Sequence, residues 1–87
     1  MSLNTSHQFP AVRLVMDGAE RYRLIRTVAD VAEVLVKDWP SDDGEEYINA
    51  LVACLDAYKE TIPAVAAREA LIRAADEVRI PHFTLVC

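Results

Sequence analysis

The sequence has few of the residues that interrupt or cross-link a polypeptide chain. It contains two glycines, four prolines and two cysteines in 87 residues. Apolar residues run along the whole chain, which argues against disorder and low complexity. Two isolated glycines cannot build a glycine-rich phosphate loop. Two cysteines, one of them the last residue, argue against the disulfide framework of a small extracellular domain.

Long apolar runs and an excess of basic residues are also missing. No stretch approaches the roughly 20 apolar residues of a membrane span, and the first residues lack the pattern of a signal peptide. The net charge is −5, and residues 27–60 hold nine acidic side chains against two basic ones. An acidic segment repels phosphate backbones. We therefore expect a soluble, cytoplasmic protein that binds neither membranes nor nucleic acids.

The composition favours a small helix-rich domain. Hydrophobic residues make up 53% of the chain, which supplies one core, and the many alanines favour helices. A chain of this length forms one domain. We assign residues 1–8 to a flexible tail and residues 9–87 to that domain.

A β-hairpin is predicted near the N-terminus. Two runs rich in β-branched and aromatic residues flank Asp17-Gly18, which is a strong hairpin signal. Alternation groups Val12 and Leu14 on the first strand, and Tyr22 and Leu24 on the second, into an apolar face covered by helices. The opposite face is predicted to gather three arginines: Arg13, Arg21 and Arg23.

Three helices and a last strand follow. Thr27 and Asp30 form an approximate capping box for the first helix, and Pro40 ends it. A second helix spans about 44–59, and a third begins at 62 or 63 and ends near 78. The second helix has a broad apolar face: Tyr47, Ile48, Leu51, Val52, Leu55 and Tyr58. From Ile80 onward the alternation predicts a strand, so the order ββαααβ indicates a two-layer α+β fold with three helices on one face of a small sheet.

Several spaced residues in the middle of the chain form a recognisable pattern. They are Trp39-Pro40, Gly44, Tyr47, Ala50, Cys54, Ala67-Arg68 and Ala74-Ala75. This pattern resembles a small bacterial family, the domain of unknown function 982, over about residues 9–86. The resemblance implies a stand-alone bacterial cytoplasmic domain, but no activity and no catalytic residue. Glu60 departs from the glycine of the family pattern, which leaves the geometry of the turn between the last two helices open.

The acidic run from Ser41 to Glu46 invites a calcium interpretation. An EF-hand loop alternates its ligands and ends with a Glu at position 12, whereas here the acids are adjacent and position 12 from Asp42 is Ala53. Helix capping explains the run better. Asp42 or Asp43 is predicted to cap the second helix, with Glu45 or Glu46 as the capping-box partner.

Catalytic and metal-binding residues are not evident. Cys54 shares the apolar side of a helix and is expected to be an inert core thiol. His82 is expected to be a strand residue with a hydrogen-bonded ring. The two cysteines and two histidines lack the spacing of a zinc site. We expect no enzyme activity, no cofactor and no metal.

Arg68 lies beside the apolar stripe of the third helix, where a charge requires a partner. The candidates are carbonyl groups, stacking on Trp39, or a carboxylate of Asp38, Asp42 or Asp43. The first functional hypothesis is a non-enzymatic interaction module that forms a homodimer or binds another protein through Arg13, Arg21 and Arg23. The alternative is a regulatory domain that binds a small anionic metabolite in a pocket near Trp39 and Arg68.

Overall fold

A computed structural model describes residues 7–16 and 22–84 of the chain. The elements are β1 (Gln8–Val15), β2 (Tyr22–Thr27), α1 (Val28–Lys37), α2 (Glu45–Tyr58), α3 (Ala64–Glu77) and β3 (His82–Thr84). The predicted order ββαααβ and the α+β class are confirmed. Strand β1 begins within the segment assigned to the tail. The predicted Asp17-Gly18 turn lies outside the described residues, as does Arg21.

The described strands form one antiparallel sheet in the order β2-β1-β3. On one face, Val12, Leu14 and Ile25 are fully buried and belong to the same core as the helices. The opposite face carries side chains that remain exposed. The three helices therefore cover one face of the sheet and leave the other open.

Small residues form the contact between α2 and α3. The buried residues of α2 are Ala50, Cys54 and Ala57. Those of α3 are Ala64, Ala67, Ala70, Leu71, Ala74 and Ala75. Side chains of this size let two helices pack closely. The broad apolar face predicted for α2 is consequently split, because its small residues occupy the core and its larger ones lie at the edge or outside.

The start of α1 agrees with the prediction. Thr27 is the N-cap, and its Oγ1 accepts a hydrogen bond from the backbone N–H of Asp30 at 3.1 Å. The Asp30 carboxylate in turn accepts from the backbone N–H of Arg26 at 2.9 Å. The helix ends at Lys37, before Pro40.

The start of α2 differs from the prediction. Gly44 is the N-cap, and neither Asp42 nor Asp43 caps the helix. The carboxylate of Glu77, at the end of α3, accepts hydrogen bonds from the backbone N–H groups of Glu46 and Tyr47, at 3.2 and 3.3 Å. A β-carbon at residue 44 would overlap this carboxylate. The prediction failed because the cap is supplied by another helix, which local spacing cannot reveal.

Both α2 and α3 end in turns that contain a residue with positive φ. Glu60 has φ 61° and Arg79 has φ 64°. In each turn the N–H of the next residue bonds back into the helix, from Thr61 to Asp56 at 2.9 Å and from Ile80 to Ala75 at 2.8 Å. These are Schellman motifs, in which glycine is the preferred residue at the positive-φ position. The turn at Glu60 therefore keeps the usual geometry without the glycine of the family pattern.

Candidate functional site

Arg13 and Arg23, two of the three arginines predicted to share one face, lie on opposite faces of the sheet. The third, Arg21, lies outside the described residues. Arg13 pairs with Leu24 across β1 and β2, and Leu14 pairs with Arg23. Because cross-strand partners share a face, Arg13 lies on the open face and Arg23 on the helix-covered one. The prediction assigned both arginines to one face. That prediction is wrong, because β2 pairs with β1 one residue out of the expected register. Each described side chain of β2 therefore lies on the face of the sheet opposite to the predicted one.

Arg23 joins the end of the sheet to α1. Its guanidinium forms a salt bridge with Asp38, directly after α1, and approaches Glu33 of that helix at 4.0 Å. Lys37 approaches the same Glu33 at 3.7 Å. Asp38, expected as a partner for Arg68, thus neutralises a different arginine.

The open face of the sheet is more apolar than predicted. Tyr22, Leu24 and Phe83 are 55%, 46% and 55% exposed. Leu24, Arg13 and Phe83 form one row across the three strands. The Arg13 guanidinium lies over the Tyr22 ring, 5.5 Å from its centre, a cation–π contact. This surface, called the open sheet face below, combines aromatic side chains with positive charge.

Arg68 of α3 ties the helix to the sheet. Its Nε donates to the carbonyl of Pro10 at 2.9 Å, and its Nη2 donates to Thr84 Oγ1 at 3.0 Å. Arg68 thus bonds to a carbonyl group, which was among the predicted partners, and to a hydroxyl group, which was not. These two hydrogen bonds link α3 to β1 and β3, so the contacts of Arg68 are structural.

The expected pocket formed by Trp39 and Arg68 is not present in the described part of the chain. Trp39 lines a cleft of about 640 Å³ that reaches Val15 and Pro81, and Arg68 is absent from its lining. Arg68 contacts Pro10 and Thr84 instead, at the other end of the β1–β3 pair. The cations that line the Trp39 cleft are Arg23, Lys37 and Arg79.

A further apolar surface lies on the outer side of α2. Ile48, Val52 and Leu55 are 50%, 50% and 59% exposed, and Tyr58 is 43% exposed. Residues 48, 52 and 55 follow the three- and four-residue spacing of one helix face, and the same spacing continues to Glu45 and Lys59. We call Glu45, Ile48, Val52, Leu55, Tyr58 and Lys59 the α2 stripe. The apolar face predicted for the second helix contained the apolar members of the stripe but not the opposite charges at its ends.

The reactive side chains are placed as structural groups. Cys54 is buried and its thiol is free, and desolvation raises the pKa of this thiol to about 11. A thiol with so high a pKa is a weak nucleophile at neutral pH. The His82 ring contacts the Asp76 carboxylate at 2.9 Å. Among the described residues, no group of three His, Cys, Asp or Glu side chains is arranged to hold a metal ion.

Comparison with known proteins identifies one family. The family model described as "Protein of unknown function (DUF982)" matches residues 10–81. Searches of curated proteins and of solved structures gave no match. No helix in the described ranges has both the length and the apolar character needed to cross a bilayer.

Proposed function

The chain belongs to the DUF982 family of proteins of unknown function, and from its surfaces we propose that it is a non-enzymatic cytoplasmic module that self-associates through the α2 stripe. The proposal rests on the exposure of Ile48, Val52 and Leu55, which lie on a helix whose small residues are buried in the core. Large apolar side chains arranged in a stripe on one helix are typical of a helix that packs against a partner.

The charges of the stripe favour a second copy of the same chain as that partner. Glu45 and Lys59 lie seven residues before and seven residues after Val52. When two copies of α2 pack antiparallel about Val52, each Glu45 faces the Lys59 of the other copy. A parallel arrangement would place like charges together. The stripe therefore fits a two-fold symmetric, antiparallel pair.

The open sheet face is less suited to self-pairing. Its described charged residues are Arg13 and Arg26, both exposed and both positive. Two copies packed through this face would bring guanidinium groups together without described carboxylates between them. Like charges at an interface disfavour association.

The size of the stripe predicts a weak dimer. Burying the exposed half of each of its four apolar side chains contributes about 1 kcal/mol per side chain, or roughly 8 kcal/mol for two copies. Association itself costs at least about 4 kcal/mol. The difference of about 4 kcal/mol corresponds to a dissociation constant near 1 mM, and the paired end charges strengthen it modestly.

Sedimentation equilibrium from about 20 µM to about 1 mM protein tests this proposal across the expected range. We expect the apparent mass to rise from 9.7 kDa towards twice that value. Val52→Glu should weaken dimerisation more than about tenfold, because it brings two carboxylates together at the symmetry axis. Leu24→Glu, the matched change on the open sheet face, should have little effect. A wild type that stays monomeric throughout, or a loss of association confined to Leu24→Glu, would contradict the proposal.

Charge reversal tests the antiparallel geometry. Glu45→Lys and Lys59→Glu should each weaken dimerisation about three- to tenfold, because each places like charges at both ends of the pair. The double variant should recover most of the affinity. If the double variant dimerises no better than the single variants, the antiparallel arrangement is wrong.

A further inference from the structure

The Trp39 cleft lies on a different part of the molecule from the α2 stripe. It is bounded by the hairpin end of the sheet, the segment after α1 and the turn after α3, and α2 contributes no described residue to its lining. Its volume of about 640 Å³ is within the range of small-molecule sites. Any role of the cleft is therefore independent of self-association through α2.

The charge of the cleft is opposite to that of the chain. Among the described residues, Arg23, Lys37 and Arg79 line it together with one carboxylate, that of Asp38, whereas the chain carries −5. Arg23 and Lys37 are engaged with Asp38 and Glu33. Arg79 forms no ion pair within the described residues, so no described carboxylate neutralises its charge.

Arg79 holds its position through an unusual backbone conformation. It occupies the positive-φ position of the turn that ends α3, where glycine is preferred. Glu60 occupies the equivalent position after α2, and its carboxylate approaches His7 at 3.8 Å. Arg79 is instead one of the residues that line the cleft. A residue kept in a disfavoured conformation at a cleft is consistent with a binding role.

The rest of the cleft suits an apolar body. Trp39, Tyr22, Met16 and Ile80 all contribute to its walls. Indole and phenol rings beside a guanidinium favour a ligand with a flat apolar part and an anionic group.

We propose that this cleft binds a small organic anion, whose acidic group pairs with Arg79 and whose apolar body packs against Trp39. This site replaces the predicted pocket at Trp39 and Arg68 and uses a different arginine. Arg79 supplies the charge, and the aromatic wall supplies the selectivity for an apolar body over inorganic phosphate.

Two dyes of similar shape test the proposal. 8-Anilinonaphthalene-1-sulfonate has a sulfonate on an aromatic body, and N-phenyl-1-naphthylamine lacks that charge. Trp39 is the only tryptophan, so energy transfer from its fluorescence reports dye bound to the protein, and the Arg79 variants locate the dye at the cleft. We expect the sulfonate to bind and quench Trp39, and Arg79→Gln to weaken its binding about tenfold while leaving the neutral dye unaffected. Excess phenylacetate should displace the sulfonate, and inorganic phosphate should not.

Three variants serve as controls. Arg26→Gln removes the same charge from an exposed residue outside the cleft and should leave the affinity unchanged. Arg79→Gly also removes the charge, and glycine adopts a positive φ without strain. This variant should therefore melt at a higher temperature than the wild type and bind the sulfonate as weakly as Arg79→Gln does. Val52→Glu should bind as the wild type does. Equal losses in Arg26→Gln and Arg79→Gln, absence of Trp39 quenching, or loss of binding in Val52→Glu would overturn the proposal.

Discussion

Arg23 illustrates how the role of a single residue depends on its surroundings. Its pairing with Leu14 places it on the helix-covered face of the sheet, where Asp38 supplies the opposite charge. Ile25, two residues later on the same face, is fully buried. The strand alternation was visible in the sequence. Which set of alternating residues turns inward was decided by the pairing with β1 and by the carboxylate after α1.

Cys54 gives a prediction at the same scale. Its pKa is about 11 in the folded protein against an ordinary value of 9.0. The folded state therefore binds the thiol proton more tightly than the unfolded state does. The contribution of Cys54 to stability is complete below about pH 9 and is lost as the pH rises towards 11.

Between pH 8 and pH 10, protein with Cys54 should lose about 1–2 kcal/mol more unfolding free energy than Cys54→Ala. Urea denaturation of both, in a Cys87→Ser background, measures the difference. The background variant removes the second thiol, and the comparison cancels the titration of lysines and tyrosines. Equal losses in the two proteins would show that burial does not raise the pKa of this thiol.

At the scale of the elements, α2 and α3 depend on each other at both their sides and their ends. Alanines and Cys54 bring the two helices together, and Glu77 of α3 satisfies backbone donors at the start of α2. Acidic groups are stabilising at a helix N-terminus. Gly44 leaves room for that carboxylate. Its φ of −76° is accessible to any residue, so its requirement for glycine is steric.

A double-mutant cycle tests the coupling of Gly44 and Glu77. Gly44→Ala should destabilise the protein by about 1–2 kcal/mol, because the added methyl group displaces the capping carboxylate. In a Glu77→Ala background the same change should cost at least about 0.5 kcal/mol less, because only the intrinsic preference of the N-cap for glycine over alanine remains. Urea denaturation gives the four stabilities.

The exposed Glu69 of α3 provides the control, since Glu69→Ala should change stability by less than about 0.5 kcal/mol. An equal cost of Gly44→Ala with and without Glu77 would rule out the proposed steric relation.

At the scale of the whole molecule, three exposed regions differ in chemistry. The α2 stripe is apolar with opposite charges at its ends, the open sheet face is aromatic and positive, and the Trp39 cleft is positive within an acidic chain. The net charge of −5 keeps copies apart at long range. Association therefore depends on short-range apolar contact and on the paired charges of the stripe, which salt screens only in part.

Self-association through the stripe predicts that thermal stability depends on protein concentration. Dimerisation removes native monomer by mass action, so the wild-type Tm should rise by about 1–2 °C between about 20 µM and about 1 mM. Val52→Glu should have a Tm that does not change with concentration, and Leu24→Glu should behave as the wild type does. Calorimetry across this range measures the trend. A constant wild-type Tm would argue against a dimer of the folded chain.

The sequence by itself determined the order of elements, the α+β class, the Thr27 cap and the end of α1 before Pro40. These features rest on local chemistry: side-chain periodicity, a hydroxyl that caps the next turn, and the steric effect of proline on the residue before it. The family resemblance followed from residue types at fixed spacings between Trp39 and Ala75. The exposed side of α2 could also have been found, because the spacing from Glu45 to Lys59 is visible in the sequence.

Only the tertiary structure decided the register of β2, the cap that Glu77 supplies to α2, and the cleft that Arg79 and Trp39 both line. Each depends on groups that are distant in sequence and meet when the helices pack on the sheet. Arg68 and Trp39 were expected to lie beside one pocket, yet they lie at opposite ends of the β1–β3 pair. Local patterns determine where helices and strands begin and end, whereas packing determines which side chains share a surface.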